Sequence, residues 1–510
     1  MIEEGKLRVK WRFSPVGGIT LVVLLFTSGI AAAQNLLINP SFELPGIGKK
    51  ITDWTKIKGW RCRNDGSSGI EKKEFYSPVE GKWYAFQKGG GDYIQQETNH
   101  IIAPGETYSL KLWARSINGA GNAAMTTIEA GFYCGTAMIV TTTVNLNAPQ
   151  LKGAAARFPN DDGANVWIDG KYRHEFADYH MYQPIDFDPI SDPWLLVETS
   201  GYEEMAHSLG WAVGPVIAGS QKFIYGTIYH EMPGDLFSSI RMMKVLSTNG
   251  PDYTFSEPVT ILSHSGSEFP WVEDPYCFYD DSTGRLWMAW GGGTCYVSKL
   301  DPTDGMLVSH PPNPEFDTHP KHIHVPVATW PETRPGWCGD EWSRCWMEGP
   351  ALYKHDGYWY LFGSYGNLSR DYTIRCGRGT SPTGPFYDKD GVNMMKFDPK
   401  RNEYGNTILL GTEGEQLVPG HPHIWEEKGK YYLGYDFRKS FHEEKDYMGI
   451  RRLYWVNDWP TIWIPVSLTF NANDHPEVIG KKLGIAFRNI GEAESVMAVD
   501  MVTVNVSRMN

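Results

Sequence analysis

Four short stretches of this 510-residue chain share one pattern at wide, nearly even spacing. They run from Gln221 to His230 (QKFIYGTIYH), Gly284 to Gly291 (GRLWMAWG), Gly357 to Ser364 (GYWYLFGS) and Gly429 to Asp436 (GKYYLGYD). Each opens on a turn residue or two and continues with aromatic and branched residues, which suit a pleated, buried strand. Their starts fall about 60 to 75 residues apart, room for one four-stranded blade with long loops. The pattern reads as the inner strand of successive blades of a β-propeller. Blades stack around an axis, so residues beside equivalent strands converge on one central pocket. Asp274 and Glu348 stand just ahead of the second and third repeats and are expected to meet there.

The rest of the composition agrees with an all-β chain. Gly and Pro are abundant and no long helical period runs through the sequence. Aromatic residues make up 14% of the chain, an excess that serves either sheet packing or the stacking of apolar sugar faces. A chain of this length exceeds one ordinary core, so two or more domains are expected.

Net charge is -13. Residues 1–33 carry Lys6, Arg8, Lys10 and Arg12 against Glu3 and Glu4, so the remainder is more acidic still. An acidic surface disfavours nucleic acid and anionic membranes and suits a neutral ligand. The same N-terminal stretch reads as a secretory signal (residues 1–33). A basic segment precedes the apolar run from Gly18 to Phe26, and Ala31 to Ala33 offer small residues for cleavage before Gln34. The run is short for a transmembrane helix. The expected location is secreted or periplasmic, with no membrane association after cleavage.

Seven cysteines are present without a CxxC pair, which argues against a cysteine-based zinc site. Export permits disulfides, and Cys338 with Cys345 is the favoured pair. The run from His319 to His324 offers His322 and His324 as transition-metal ligands, but no third clear ligand, and reads rather as an exposed loop.

The segment after the signal opens with Asn35-Leu-Leu-Ile-Asn-Pro-Ser-Phe-Glu43. The run from Ile102 to Arg115, PGETYSLKLWAR at its core, is a turn leading into an alternating strand. Together, in this order, they resemble the first half of a carbohydrate-binding jelly roll of the galactose-binding-like class. Strands of the matching kind return only at the end, at Ile464–Phe470, Lys482–Asn489 and Val496–Val506, the last resembling the closing strand of such modules. The resulting expectation is a propeller (146–462) inserted into a β-sandwich formed by residues 35–145 and 463–510, since insertions succeed where chain ends lie close. A small C-terminal sheet packed on the propeller is the competing arrangement. The module class implies a structural Ca²⁺ between Glu43 and Asp500, both hard oxygen donors.

Residues 165–462 resemble glycoside hydrolase family 43, five-bladed propeller enzymes acting on arabinose- and xylose-containing glycans. Trp211-Ala-Val-Gly-Pro215, Val272-Glu-Asp-Pro-Tyr-Cys-Phe-Tyr-Asp-Asp281, Glu348-Gly-Pro-Ala-Leu-Tyr-Lys354, Arg378-Gly-Thr-Ser-Pro-Thr-Gly-Pro-Phe386 and Pro419-Gly-His-Pro-His423 stand in the family's order. The resemblance implies inverting hydrolysis. That chemistry needs one carboxylic acid to protonate the leaving oxygen and one carboxylate to activate water on the opposite face. Glu348 is then the general acid and Asp274 the carboxylate that tunes it and orients substrate. The general base belongs to the first blade, where the sequence departs from the family. Asp178 follows Phe176-Ala177, but Tyr179 replaces the usual proline, and the aromatic strand before Trp211 is absent. Asp192 and Asp188 are alternatives, and a lost base is another.

His421 is expected on the propeller axis, near a calcium ion or a water. His423 stands where relatives have a small residue. Trp211, Trp271, Trp290 and Trp346 are stacking candidates for sugar, and Arg375 and Arg378 candidates for sugar hydroxyls. No cofactor is required for the chemistry. The expected function is a secreted glycosidase for arabinofuranosyl or xylosyl linkages, with galactosyl as a further option, in an oligo- or polysaccharide. The alternatives are a non-catalytic glycan-binding propeller with a degenerate first blade and a propeller scaffold for protein partners.

Overall fold

The computed structural model describes residues 35–508, except 73–75, 148–158, 161–162, 165–166, 169–170, 173–210, 233–234, 248–253, 264–270, 309–323, 331–345, 368–369, 402, 428 and 442–446. Among the described residues the regular elements are strands apart from three short 3₁₀ turns.

Among the described residues, four antiparallel sheets follow one another along the middle of the chain. Their first strands are Trp211–Ala218, Tyr276–Asp280, Trp346–His355 and Leu417–Glu427. Each pairs with the next strand in sequence, and that with the one after, as local hairpins dictate. The first strands of successive sheets touch one another, which puts them around a common axis. A short hairpin, Pro159–Asn160 with Gly163–Ala164, contacts both Trp211–Ala218 and Leu417–Glu427, the first strands of the first and last sheets.

The four aromatic repeats are the second strands, Gln221–Met232, Arg285–Trp290, Tyr358–Gly366 and Lys430–Arg438, not the innermost. The reason is burial. A second strand has hydrogen-bonded neighbours on both edges and sheets over both faces, so Tyr358–Gly366 is buried at every position after Tyr358. Such a strand reads as a continuous apolar run. One cluster fills the space among the last three sheets, including Leu352, Phe362, Ile374, Leu433 and Leu453, and a second joins the first two through Phe223, Tyr225, Leu286 and Met288.

The two ends of the chain share a pair of sheets. The larger runs Lys50–Ile51, Ser68–Glu71, Tyr84–Lys88, Val496–Arg508, Glu106–Ser116, Ile464–Asn471. The smaller runs Ile94–Ile101, Lys482–Asn489, Thr127–Cys134, Ala137–Asn145. C-terminal strands thus lie between N-terminal ones in both sheets. Their inner faces alternate into one core holding Phe42, Leu110, Phe132, Phe470, Phe487 and Val499.

This sandwich is joined to the propeller sheets by buried polar contacts. The Arg115 guanidinium donates to Glu413 at 2.5 Å, and Arg451 donates to the same carboxylate oxygen at 3.1 Å. A part-buried contact adds to them, with Lys389 Nζ donating to the Pro78 carbonyl (3.1 Å).

Candidate active site and a second carboxylate cluster

The first strands carry the axial residues, and three of the four break register at that point. Pairing is interrupted between Trp211 and Gly214, between Glu348 and Ala351, and on both sides of Gly420. Such irregularities re-aim side chains that regular alternation would send into the sheet. The second sheet reaches the same end by another route. Asp274, two residues ahead of Tyr276–Asp280, has φ +54°, and His421 has φ +46°. Left-handed backbone at non-glycine residues costs energy and clusters where function demands a direction.

Asp274 is held at both ends. Its backbone N–H donates to Thr227 Oγ1 (2.9 Å), and its Oδ2 accepts from the Gly349 N–H (2.9 Å). Gly349 has φ +55°, and a Cβ there would sit 3.1 Å from Ser364 Oγ and 3.3 Å from His421 Nδ1. The glycine beside Glu348 is therefore what lets the second, third and fourth sheets close on one point. Ser364 Oγ accepts from the His421 N–H at 2.7 Å. Carboxylate oxygens of Glu273, Asp274 and Glu348 all lie within 4.8 Å of one another. Burial holds the His421 imidazole below its ordinary pKa, against the charges of Asp274 and Glu348, so it is neutral at pH 7.

Asp274, Glu348 and His421 thus converge from three sheets; the repeat spacing places the first two together, and His421 stands where the family resemblance puts it. Two further site residues lie outside the sequence reading. Glu273 is buried, and its carbonyl accepts from the Gly291 N–H at 2.8 Å. Its carboxyl rests against Gly292, where a Cβ would come 2.0 Å from Oε1. The adjacent acidic residue in the Val272-Glu-Asp-Pro motif was the available signal. Tyr372 donates its hydroxyl to Glu348 Oε1. No motif marks it.

The expected base residues, Asp178, Asp188 and Asp192, lie outside the described residues, as do Cys338, Cys345 and His322. Cys62, Cys134, Cys277, Cys295 and Cys376 are free thiols. Trp211 and Trp346 open first strands, and their side chains are outside the description. Trp271 is half-buried beside Glu273.

Four sequence expectations are corrected. Trp290 is fully buried, stacks on Tyr296 (4.7 Å) and donates to Ser298 Oγ (2.8 Å), so its ring belongs to the core rather than to a sugar. Arg375 is 2% exposed, lies over the Trp330 and Tyr365 rings and donates to Thr373 and Asn406. Arg378 donates to the Asp458 carbonyl and lies over Tyr358 and Trp459, toward the end of the sheet away from Ser364. The packing of the third sheet occupies both guanidinium groups. His324, read as part of an exposed loop, instead opens a strand, buried and bonded to Ser298 Oγ at 2.7 Å.

A second carboxylate cluster lies in the sandwich. Glu43 Oε1 accepts from the N–H groups of Lys82 and Trp83, both at 2.8 Å. Asp500 is fully buried; its Oδ2 accepts from the Glu80 N–H at 2.9 Å, while Oδ1 has no hydrogen-bond partner among the described residues. Glu80 Oε2 accepts from Ser41 Oγ at 2.6 Å. Burial pushes the Asp500 carboxyl well above the usual carboxylate range, and the charges of Glu43 and Glu80 add to it. The unpaired Oδ1 is a hard oxygen donor of the kind a Ca²⁺ site uses, although among the described residues the group that brings three potential ligand atoms within 4.8 Å is Glu273, Asp274 and Glu348. Glu80 is a member that sequence reasoning did not supply.

The profile of glycosyl hydrolases family 43 matches residues 198–460. The chain is 27% identical over 269 residues to an extracellular endo-α-(1→5)-L-arabinanase of Bacillus subtilis, covering 48% of this chain and 52% of that one. It is also 27% identical over 273 residues to an extracellular endo-α-(1→5)-L-arabinanase of Thermotoga petrophila, covering 48% and 50%. The chain spans about half the length of these curated relatives. Among solved structures, the α-L-arabinanase of Cellvibrio cellulosa complexed with arabinohexaose aligns over 77% of this chain and 96% of its own, at 17% identity and a TM-score of 0.40. With more than half of its length matched by the family profile and the axial carboxylates brought together, this chain belongs to glycosyl hydrolase family 43.

Proposed function

We propose that this protein is an exported, inverting glycosidase of arabinose-containing polysaccharides, with α-L-arabinofuranosyl linkages as first choice and xylosyl or galactosyl linkages as alternatives. The observation that carries the reading is the meeting of Asp274 and Glu348 from separate sheets, with a backbone N–H beside the acid bonded to the modulating carboxylate. Glu348 protonates the leaving oxygen. Asp274, fixed by Thr227 and Gly349, holds the geometry and the negative charge beside it. A first-blade aspartate, Asp178 or else Asp192 or Asp188, takes the proton of the attacking water. His421, buried and neutral, suits the binding of an axial cation or its water.

The interleaving of N- and C-terminal strands supports reading the sandwich as a split carbohydrate-binding jelly roll around an inserted five-bladed propeller. Such a module raises the local concentration of polysaccharide at the propeller. Glu43, Glu80 and Asp500 would hold Ca²⁺ in it, an ion that fastens the closing strand to the loop before Trp83. The basic and apolar stretch within residues 1–33, together with relatives named extracellular, supports export.

The test is hydrolysis of aryl arabinofuranosides, xylosides and galactosides and of arabinan, xylan and galactan, with NMR of the released anomer. Inverted arabinose release by the wild type, abolished on arabinan in Glu348→Gln with sugar binding retained, is the expected result. Full activity in Glu348→Gln would overturn the assignment of the acid. Binding without release by the wild type would favour a propeller that has lost its base.

A further inference from the structure

We propose that Tyr372 is the positioning residue of the acid, a role that rests on the reading of Glu348 as the proton donor. Its hydroxyl donates to Glu348 Oε1. The tyrosine comes from the third sheet's loop, one residue ahead of the strand Thr373–Gly379, and not from the strand that carries Glu348. A contact between two separately anchored pieces of chain holds a side chain more firmly than a contact within one strand.

The tyrosine is built into its place. It is 1% exposed and packs with Leu417 and Val418. Its backbone N–H donates to the Asn367 carbonyl at 3.0 Å. The ring lies so close over Gly420 that a Cβ there would come 2.0 Å from Tyr372 Cε1. Gly420 immediately precedes His421. The PGH segment thus supplies both an axial imidazole and the space into which the tyrosine ring fits.

The consequence for Glu348 is a choice between its two oxygens. A carboxylic acid carries one transferable proton, and a phenol that donates to Oε1 occupies that oxygen as an acceptor. The proton is therefore kept on Oε2. In the cleavage step the Oε2–H bond breaks and the proton moves to the glycosidic oxygen. The anomeric carbon–oxygen bond breaks with its electron pair on the leaving group. Water adds to the opposite face and gives its proton to the base. The carboxylate left on Glu348 keeps the Tyr372 donor, which stabilises the charge formed in that step.

A role exerted through the acid has a signature that a structural role lacks. Leaving groups that depart as stable anions need no protonation, whereas poor ones depend on it. The experiment compares wild type, Tyr372→Phe and Glu348→Gln on 2,4-dinitrophenyl, 4-nitrophenyl and phenyl α-L-arabinofuranosides and on a linear α-1,5-arabino-oligosaccharide. Tyr372→Phe should lose about 10- to 100-fold in kcat on the phenyl glycoside and the oligosaccharide. It should stay within about twofold of wild type on the dinitrophenyl substrate, with KM little changed throughout. Retained dinitrophenyl activity also certifies that the variant is folded. Equal losses on every substrate, or none, would overturn the positioning role. Glu348→Gln should show the same dependence more steeply. If wild type is active and Glu348→Gln loses equally on all substrates, the acid assignment itself falls, and the role of Tyr372 with it.

Discussion

The propeller sheets and the sandwich are both antiparallel β-structure, yet they are assembled by opposite rules. In each propeller sheet the strands pair in chain order, so a hairpin's worth of sequence contains its own partner. In the sandwich Val496–Arg508 pairs with Tyr84–Lys88 and Glu106–Ser116, and Lys482–Asn489 lies between Ile94–Ile101 and Thr127–Cys134. Neither sandwich sheet is complete until a strand from the C-terminal segment is in place. Local pairing makes a repeat visible in sequence; distant pairing hides a domain by cutting it in two. The site follows the same contrast, since its axial residues recur with the repeat while Tyr372 and Glu80 arrive by tertiary closure.

The largest expected effects test whether the two regions have separate cores. Phe362→Ala in the propeller and Phe487→Ala in the sandwich should each cost about 3–5 kcal/mol, since both are fully buried. Urea unfolding followed by tryptophan fluorescence and by proteolysis of each region should locate each loss first in its own half. Identical unfolding by both probes in both variants would mean one cooperative unit.

Glu413→Gln probes the junction. The two arginines it accepts from belong to different regions, so the variant leaves Arg115 and Arg451 buried against a neutral amide. A loss of about 3 kcal/mol is expected, with the two regions unfolding further apart. A change under about 0.5 kcal/mol would show that this cluster does not couple them.

Gly349→Ala addresses the axis. At φ +55° and 3.1 Å from Ser364 Oγ, an alanine must shift the strand that carries both Glu348 and the donor to Asp274. A stability loss of about 1–2 kcal/mol and a fall in kcat of about 100-fold are expected, with the sandwich transition unmoved.

The smallest effect concerns the sandwich carboxylates. Without a cation, the Asp500 carboxyl in the folded protein lies above its unfolded value, so the folded state holds the extra proton. Its contribution is full below the usual carboxylate range and declines as pH rises through that range toward the raised folded value. Chelator-treated protein should therefore melt a few degrees lower at pH 8 than at pH 5, and Ca²⁺ should remove most of that difference. A Ca²⁺-independent melting point at pH 8 would argue against an ion there. Asp500→Asn should reduce the pH dependence without Ca²⁺.

Much of this was legible in the residues. The aromatic repeats mark buried strands because a strand covered on both faces must be apolar along its length. Asp274 and Glu348 were placed together because equivalent positions of stacked sheets face one axis. Trp290, Arg375 and Arg378 were misplaced for a related reason. Strand periodicity says which residues alternate, but not whether the face beyond is pocket or neighbouring sheet. Arg375 in particular is a guanidinium buried under Trp330 and Tyr365, which no local pattern predicts.

By itself the amino-acid sequence determined the all-β class, the repeat, the family motifs and the pairing of Asp274 with Glu348, because these depend on side-chain chemistry and on spacing within a hairpin or a blade. Only the tertiary structure decided that the repeats are second strands, that the chain ends interleave in both sandwich sheets, that Glu80 joins Glu43 and Asp500, and that Tyr372 reaches Glu348 over Gly420. Each of these depends on which surfaces are left to pair once the local hairpins have formed. That choice is made by closure of the whole chain, through contacts between residues tens to hundreds of positions apart.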